Sequence, residues 1–167
     1  NADVNIIDVK ANPFVEINFS NLIIKSHLIG LYNANNINAA LTIGKYFGVD
    51  DIAIKEGLES YIPENNRSQL LSKGTNQIIL DAYNANPSSM KVAIENFLQL
   101  DNPNKIMILG DMFELGDAST QEHLEVLKLL LDKNEIQCFF IGSAFYANKT
   151  VTTHFHFYET FDSFSEY

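Results

Sequence analysis

The sequence predicts an α/β chain, a β/α segment followed by a parallel-sheet domain of alternating strands and helices. Three observations predict it. After Arg67, apolar runs of strand length alternate with apolar stripes of helical period. That βαβαβ order implies a parallel sheet with helices on both faces. The segment Asp81-Ala-Tyr-Asn-Ala-Asn-Pro-Ser-Ser-Met90 joins the apolar run Ile78-Ile-Leu80 to a helical pattern, so a carboxylate stands at the C-terminal end of a strand. Between the two textures, Ile62-Pro-Glu-Asn-Asn66 breaks the pattern and divides residues 1–63 from residues 64–167.

Each element has its own signal. Val15, Ile17 and Phe19 alternate with Glu16 and Asn18, the period of a half-buried strand. Ser20-Asn21 supplies a turn, and Leu22-Ile-Ile24 opens a second strand. Ile37, Ala40, Leu41, Gly44 and Phe47 share one helical face, and Gly48 is placed to end that helix. A second helix, residues 50–61, opens on Asp50 and Asp51, acids that suit the positive end of the helix dipole. Past the break, Ile78 to Leu80 reads as a buried strand, and Met90, Ala93, Ile94, Phe97 and Leu98 as a helical stripe. Asn86 suits the cap of that helix, and Pro87 its first position, where no N–H partner is needed. Asp101-Asn-Pro-Asn104 is a turn and Lys105 to Leu109 a strand. A helix follows over residues 120–133 with Leu124, Leu127 and Leu131 on one face, then strands at Gln137 to Ile141 and Phe155 to Tyr158. The chain starts at Asn1 without a methionine, and Phe161 to Tyr167 reads as the opening of a helix; an excised piece of a longer protein is expected.

Composition excludes several classes of function. With 21 acidic and 11 basic residues, a net charge of -10 and no Lys/Arg cluster, the chain is not built to neutralise nucleic-acid phosphates. No apolar run approaches the length of a membrane span. Its one cysteine, Cys138, lies in an apolar run and reads as a small buried hydrophobe, which fits a reducing compartment.

Three constellations carry candidate chemistry. An acid at a strand tip often holds a ribose hydroxyl, which makes Asp81, with Tyr83, Asn84 and Asn86 in the turn behind it, a candidate nucleotide contact; the plain alternative is a well-capped helix with no ligand. The loop Gly110-Asp-Met-Phe-Glu-Leu-Gly116 brackets Asp111 and Glu114 between glycines and is expected on the same sheet edge as Asp81. Those carboxylates suit an amine substrate or a metal, unless the glycines simply permit a solvated turn. His123, on the next helix, is expected to be structural or exposed. In Gly30-Leu-Tyr-Asn-Ala-Asn-Asn-Ile-Asn38, Asn33 and Asn36 share a helical face or first turn. Their amides offer donor and acceptor together, as an adenine edge requires, or else they cap the helix. The chain has no Gly-x-x-x-x-Gly-Lys-Ser/Thr loop, no Gly-x-Gly-x-x-Gly fingerprint, no zinc spacing and no Gly-x-Ser-x-Gly elbow. It holds parts of a nucleotide site without a phosphate grip.

Together these segments resemble the Mur ligase superfamily. The resemblance rests on Gly30, Tyr32, Asn33, Asn36, Ala39 and Ala40; on Arg67; on Asp81 through Met90; and on Gly110 through Gly116 followed by Ser119 and His123. It implies a central ATPase domain, whose tail is residues 1–63, and a Rossmann-like C-terminal domain, of which residues 64–167 are the greater part. It implies an ATP-dependent amide-bond ligase of bacterial cytoplasm working through an acyl phosphate. The Asp81 and Gly110 segments resemble the branch that joins D-Ala-D-Ala to UDP-MurNAc-tripeptide. The alternatives are a sister amide ligase of folylpolyglutamate synthase type and a non-catalytic nucleotide-binding module. On this resemblance Asn33 and Asn36 face adenine, Asp81 binds ribose and Arg67 approaches the nucleotide from a hinge near Pro63 to Arg67. Tyr83, Asn84 and Asn86 shape the nucleotide side of the second domain, and Asp111 and Glu114 lie toward the dipeptide. The phosphate loop and most ligands of the Mg2+ that accompanies ATP are expected upstream of Asn1, so this chain alone is expected to be inactive. Tyr32 stands where many members of the family have histidine, which leaves its contact to be found.

Overall fold

The computed structural model describes residues 6–64 and 66–166. It divides into two units, Asn1–Asn84 with Glu95–Leu100, and Ala85–Ile94 with Asp101–Tyr167.

The first unit opens on an antiparallel sheet, β1 (Ile6–Ala11), β2 (Phe14–Phe19) and β3 (Leu22–Ile29), in that order. β1 carries no clean alternation in the sequence and was not expected. Ser20 and Asn21 join β2 to β3 with φ of 48° and 64°, the left-handed pair that a two-residue hairpin turn needs. The period of two holds: Val15, Ile17 and Phe19 are fully buried. They pack with Ile24 against Ile37 and Leu41 of α1 (Asn33–Tyr46) and Ile54 of α2 (Asp51–Ser60). Each such side chain contributes about 1.5–3 kcal/mol by leaving water. The expected α1 face is only half realised, because Ala40 and Phe47 are exposed. Gly44 instead permits close approach of the helices, since a Cβ there would stand 2.9 Å from Ile54 Cδ1. Asp50 caps α2 by accepting from the Ile52 N–H at 2.9 Å.

A hairpin follows, β4 (Gln69–Lys73) antiparallel to β5 (Asn76–Leu80), turning at Gly74 with φ of 62°. The expected strand at Ile78 to Leu80 is therefore real but placed differently. Among the described strands it pairs with β4 alone, and Ile78 is 40% exposed rather than buried. A short apolar run does not announce its partner, and a tight turn favours the nearest one.

The second unit holds the parallel sheet, β6 (Lys105–Gly110), β7 (Ile136–Ile141) and β8 (Phe155–Tyr158), in that order. α3 (Pro87–Gln99) is divided between the two units at Ile94, a 3₁₀ turn (Gly116–Ala118) and α4 (Ser119–Leu130) join β6 to β7, and α5 (Ser143–Ala147) follows β7. α6 (Phe161–Ser165) begins where a helix was expected. α4 buries His123, Val126, Leu127 and Leu130; Leu131 is 45% exposed, so the buried face is rotated from the one expected. Phe140 lies 5.0 Å, centroid to centroid, from each of Phe145, Phe155 and Phe157, and these rings form the centre of the unit.

Candidate functional site

Asn33 and Asn36 share the first turn of α1, as their spacing requires, but they do not cap it. Asn33 is buried, donates its amide to the Ile29 carbonyl at 2.8 Å and accepts from Asn36 Nδ2 at 2.8 Å. It thereby ties the helix start to the end of β3. Asn36 is exposed, and its carbonyl oxygen and second amide hydrogen remain for an outside partner.

Arg67 sits between two residues in left-handed conformation, Asn66 with φ of 54° and Ser68 with φ of 47°. The Asn66 carbonyl accepts from the N–H groups of Ala82, at 2.9 Å, and Tyr83, at 3.1 Å. This fastens the entry of β4 to the loop after β5. The Arg67 guanidinium lies 3.8 Å over the ring of Tyr83, a contact worth about 0.5–1 kcal/mol at an exposed site. Tyr83 and Asn84 are exposed.

Asp81 is exposed at the end of β5. Its Oδ1 accepts from the Ser68 N–H at 3.1 Å and its Oδ2 from the Ser68 hydroxyl at 3.4 Å. Ser68 is buried and its hydroxyl also meets that of Tyr32. Burial above all pushes the Tyr32 hydroxyl above its ordinary value of 10.0; the Ser68 hydrogen bond works against that shift and the charge of Asp81 with it. Neither Ser68 nor the Tyr32 contact was signalled by any motif. The one available sign was that Ser68 follows Arg67.

In the second unit, the Asn86 side chain accepts from the Ser89 N–H at 2.9 Å and the Ser88 hydroxyl at 2.8 Å, so it caps α3 as expected. Asp111 follows β6, but β6 and β5 belong to different sheets, so the shared sheet edge expected for Asp111 and Asp81 is not formed. Its carboxylate turns inward. It accepts from the N–H groups of Ala144, at 2.8 Å, and Phe145, at 3.0 Å, and caps α5. Its side chain is only 8% exposed. Gly142 makes this possible, for a Cβ there would stand 2.2 Å from the Asp111 carboxyl carbon. His123 is fully buried, accepts from the Met112 N–H at Nε2 (3.1 Å) and meets the Ser119 carbonyl at Nδ1 (2.7 Å). It is structural, and it holds the loop from within. Phe113 and Glu114 are presented outward, Glu114 with φ of 62°. Among the described residues, no group of three or more His, Cys, Asp or Glu side chains is placed to hold a metal ion.

Residues 66–153 match the family described as Mur ligase, glutamate ligase domain. A UDP-N-acetylmuramoyl-tripeptide–D-alanyl-D-alanine ligase from Bacillus subtilis is 38% identical over 100 residues, 59% of this chain and 22% of that protein. MurF from Acinetobacter baumannii superposes with a TM-score of 0.76 at 28% identity, over 95% of this chain and 36% of that one. MurF ligase from Thermotoga maritima, solved in complex with ADP, shares the fold, with a TM-score of 0.73 at 22% identity, over 94% of this chain and 37% of that one. The chain thus spans about a quarter to a third of the length of these proteins.

Proposed function

Because the chain belongs to the Mur ligase family, we propose that it supplies the adenosine-binding part of an ATP-dependent ligase joining D-Ala-D-Ala to UDP-MurNAc-tripeptide. The observation that carries this reading is the exposed carboxylate of Asp81, held at a strand end by the residue next to Arg67. An acid so placed suits the ribose hydroxyls. Asn36, with a donor and an acceptor still available, suits the adenine edge, and Asn33 orients it. Arg67 and Tyr83 lie against each other beside the acid's loop, on the nucleotide side. Asn84 extends that side; Asn86, in the other unit, caps α3. On the dipeptide side Glu114 has the outward carboxylate, while Asp111 sets the shape of the loop that presents it.

The reaction needs little covalent chemistry from these residues. The peptide carboxylate attacks the γ-phosphorus, forming an acyl phosphate and releasing ADP; the dipeptide amine then attacks the acyl carbon and phosphate leaves. Mg2+, which no group of acidic or histidine side chains among the described residues is placed to hold, would neutralise the charge of the transferring phosphoryl group from ligands elsewhere in the ligase. What the chain contributes is position, which in such transfers is most of the catalysis. The domain boundary near residue 63 and a hinge over Pro63 to Arg67 belong to the same proposal, supported by a family match that starts at residue 66. So does a bacterial cytoplasmic location; no helix among the described residues is long and apolar enough to cross a membrane.

The test is ADP release by the full-length protein that carries this chain. Release over many turnovers should require both UDP-MurNAc-tripeptide and D-Ala-D-Ala, and the 167-residue chain alone should give none. Release driven by a folate and glutamate instead would overturn the assignment.

A further inference from the structure

We propose that Tyr32 and Ser68 are positioning residues for the ribose, acting through Asp81; the inference rests on the ribose role given to Asp81 above. Tyr32 and Ser68 lie thirty-six residues apart in the chain, and Ser68 and Asp81 thirteen. The fold brings them into one line: Tyr32 hydroxyl, Ser68 hydroxyl, Asp81 carboxylate. The proton order in that line follows from the chemistry at its end. A carboxylate only accepts, so Ser68 spends its single hydroxyl hydrogen on Asp81 Oδ2, and Tyr32 must donate to Ser68 Oγ. Burial keeps the Tyr32 proton in place for that purpose.

Each member of the line is itself held. Ser68 is 6% exposed and takes a left-handed backbone, φ of 47°, which directs its N–H at Asp81 Oδ1 while its hydroxyl reaches Oδ2. Both oxygens of the acid are thus referred to one residue. The Tyr32 ring lies over Gly30, where a Cβ would stand 2.6 Å from Tyr32 Cε1 and where φ is 87°. Any side chain at residue 30 would displace the ring and its hydroxyl. The glycine and the aromatic residue of the Gly30-Leu-Tyr32 segment are therefore tied to the acid fifty residues on, whose carboxylate is fixed in direction before a ligand arrives. A pre-set acceptor costs less ordering on binding than a free one.

The experiment uses the full-length protein and two nucleotides, ATP and 2′,3′-dideoxy-ATP, which lacks the hydroxyls Asp81 would accept from. Steady-state KM and kcat are measured for the parent and for Tyr32→Phe, Ser68→Ala and Asp81→Ala. Tyr32→Phe keeps the ring over Gly30 and removes only the donor. It and Ser68→Ala should raise KM for ATP about 3- to 10-fold and leave KM for the dideoxy nucleotide within about 2-fold, with kcat little changed. Asp81→Ala should abolish the preference for ATP, and adding Tyr32→Phe to it should change nothing further. If Asp81→Ala abolishes the preference but Tyr32→Phe and Ser68→Ala keep it, or raise KM for both nucleotides alike, the positioning role is overturned and the ribose reading stands. If Asp81→Ala leaves the preference intact, the ribose reading falls and takes this inference with it.

Discussion

Asp81 and Asp111 occupy the same kind of place in the sequence, each directly after an apolar strand, and they do different work. Asp81 remains exposed, whereas Asp111 accepts two N–H groups from α5 and is nearly enclosed. Nothing local separates them. What encloses Asp111 is a helix start thirty-three residues away and the missing side chain of Gly142. Gly142→Ala should therefore cost about 2–4 kcal/mol, through a φ of 133° and a Cβ inside the Asp111 carboxylate. Thermal unfolding should show this as a fall in Tm of several degrees; an unchanged Tm would mean the loop is not built on that contact. The asparagines divide similarly. Pattern alone offered adenine binding or capping for both Asn33 and Asn36, and the structure gives Asn33 a third role, the link to the Ile29 carbonyl. The contact between Tyr32 and Ser68 was invisible because a hydrogen bond between distant hydroxyls leaves no periodicity to read.

At the scale of elements, periodicity was a good guide wherever one face is buried. β2, β3, α3 and the three strands of the parallel sheet lie where the apolar residues put them, and α2 opens where the acids Asp50 and Asp51 put it. Failures came where the partner decides the outcome: β1 has no alternation, β5 pairs with β4, and α4 turns its His123 face inward. α2 shows how partners are fastened. Glu59 accepts from the Lys25 N–H of β3 at 2.8 Å and pairs with Lys55 one turn back. The Lys55 hydrogen bond first, then the Lys25 N–H, hold the Glu59 carboxyl below its ordinary value of 4.5. A lowered value in the folded chain means that the contribution is complete above about pH 4.5 and fades as pH falls through the folded value. Glu59→Gln should thus destabilise near neutral pH by about 0.5 kcal/mol, the scale of an exposed pair, and converge with the parent in acid. Urea melts at several pH values check this; a deficit that persists unchanged at low pH would refute it.

On the scale of the whole molecule, the chain is an acidic α/β protein in two units, and its likeness to MurF proteins extends over nearly all of its length. Its candidate nucleotide contacts, except Asn86, fall in the first unit, and its candidate dipeptide contacts in the second. On the proposed function, Asp81 grips the nucleotide sugar. Its most direct test is the Michaelis constant for ATP of the Asp81→Ala variant in the full-length protein. That constant should rise about tenfold with little change in kcat, the loss of a charged hydrogen bond in binding alone. A Michaelis constant equal to that of the parent would contradict it.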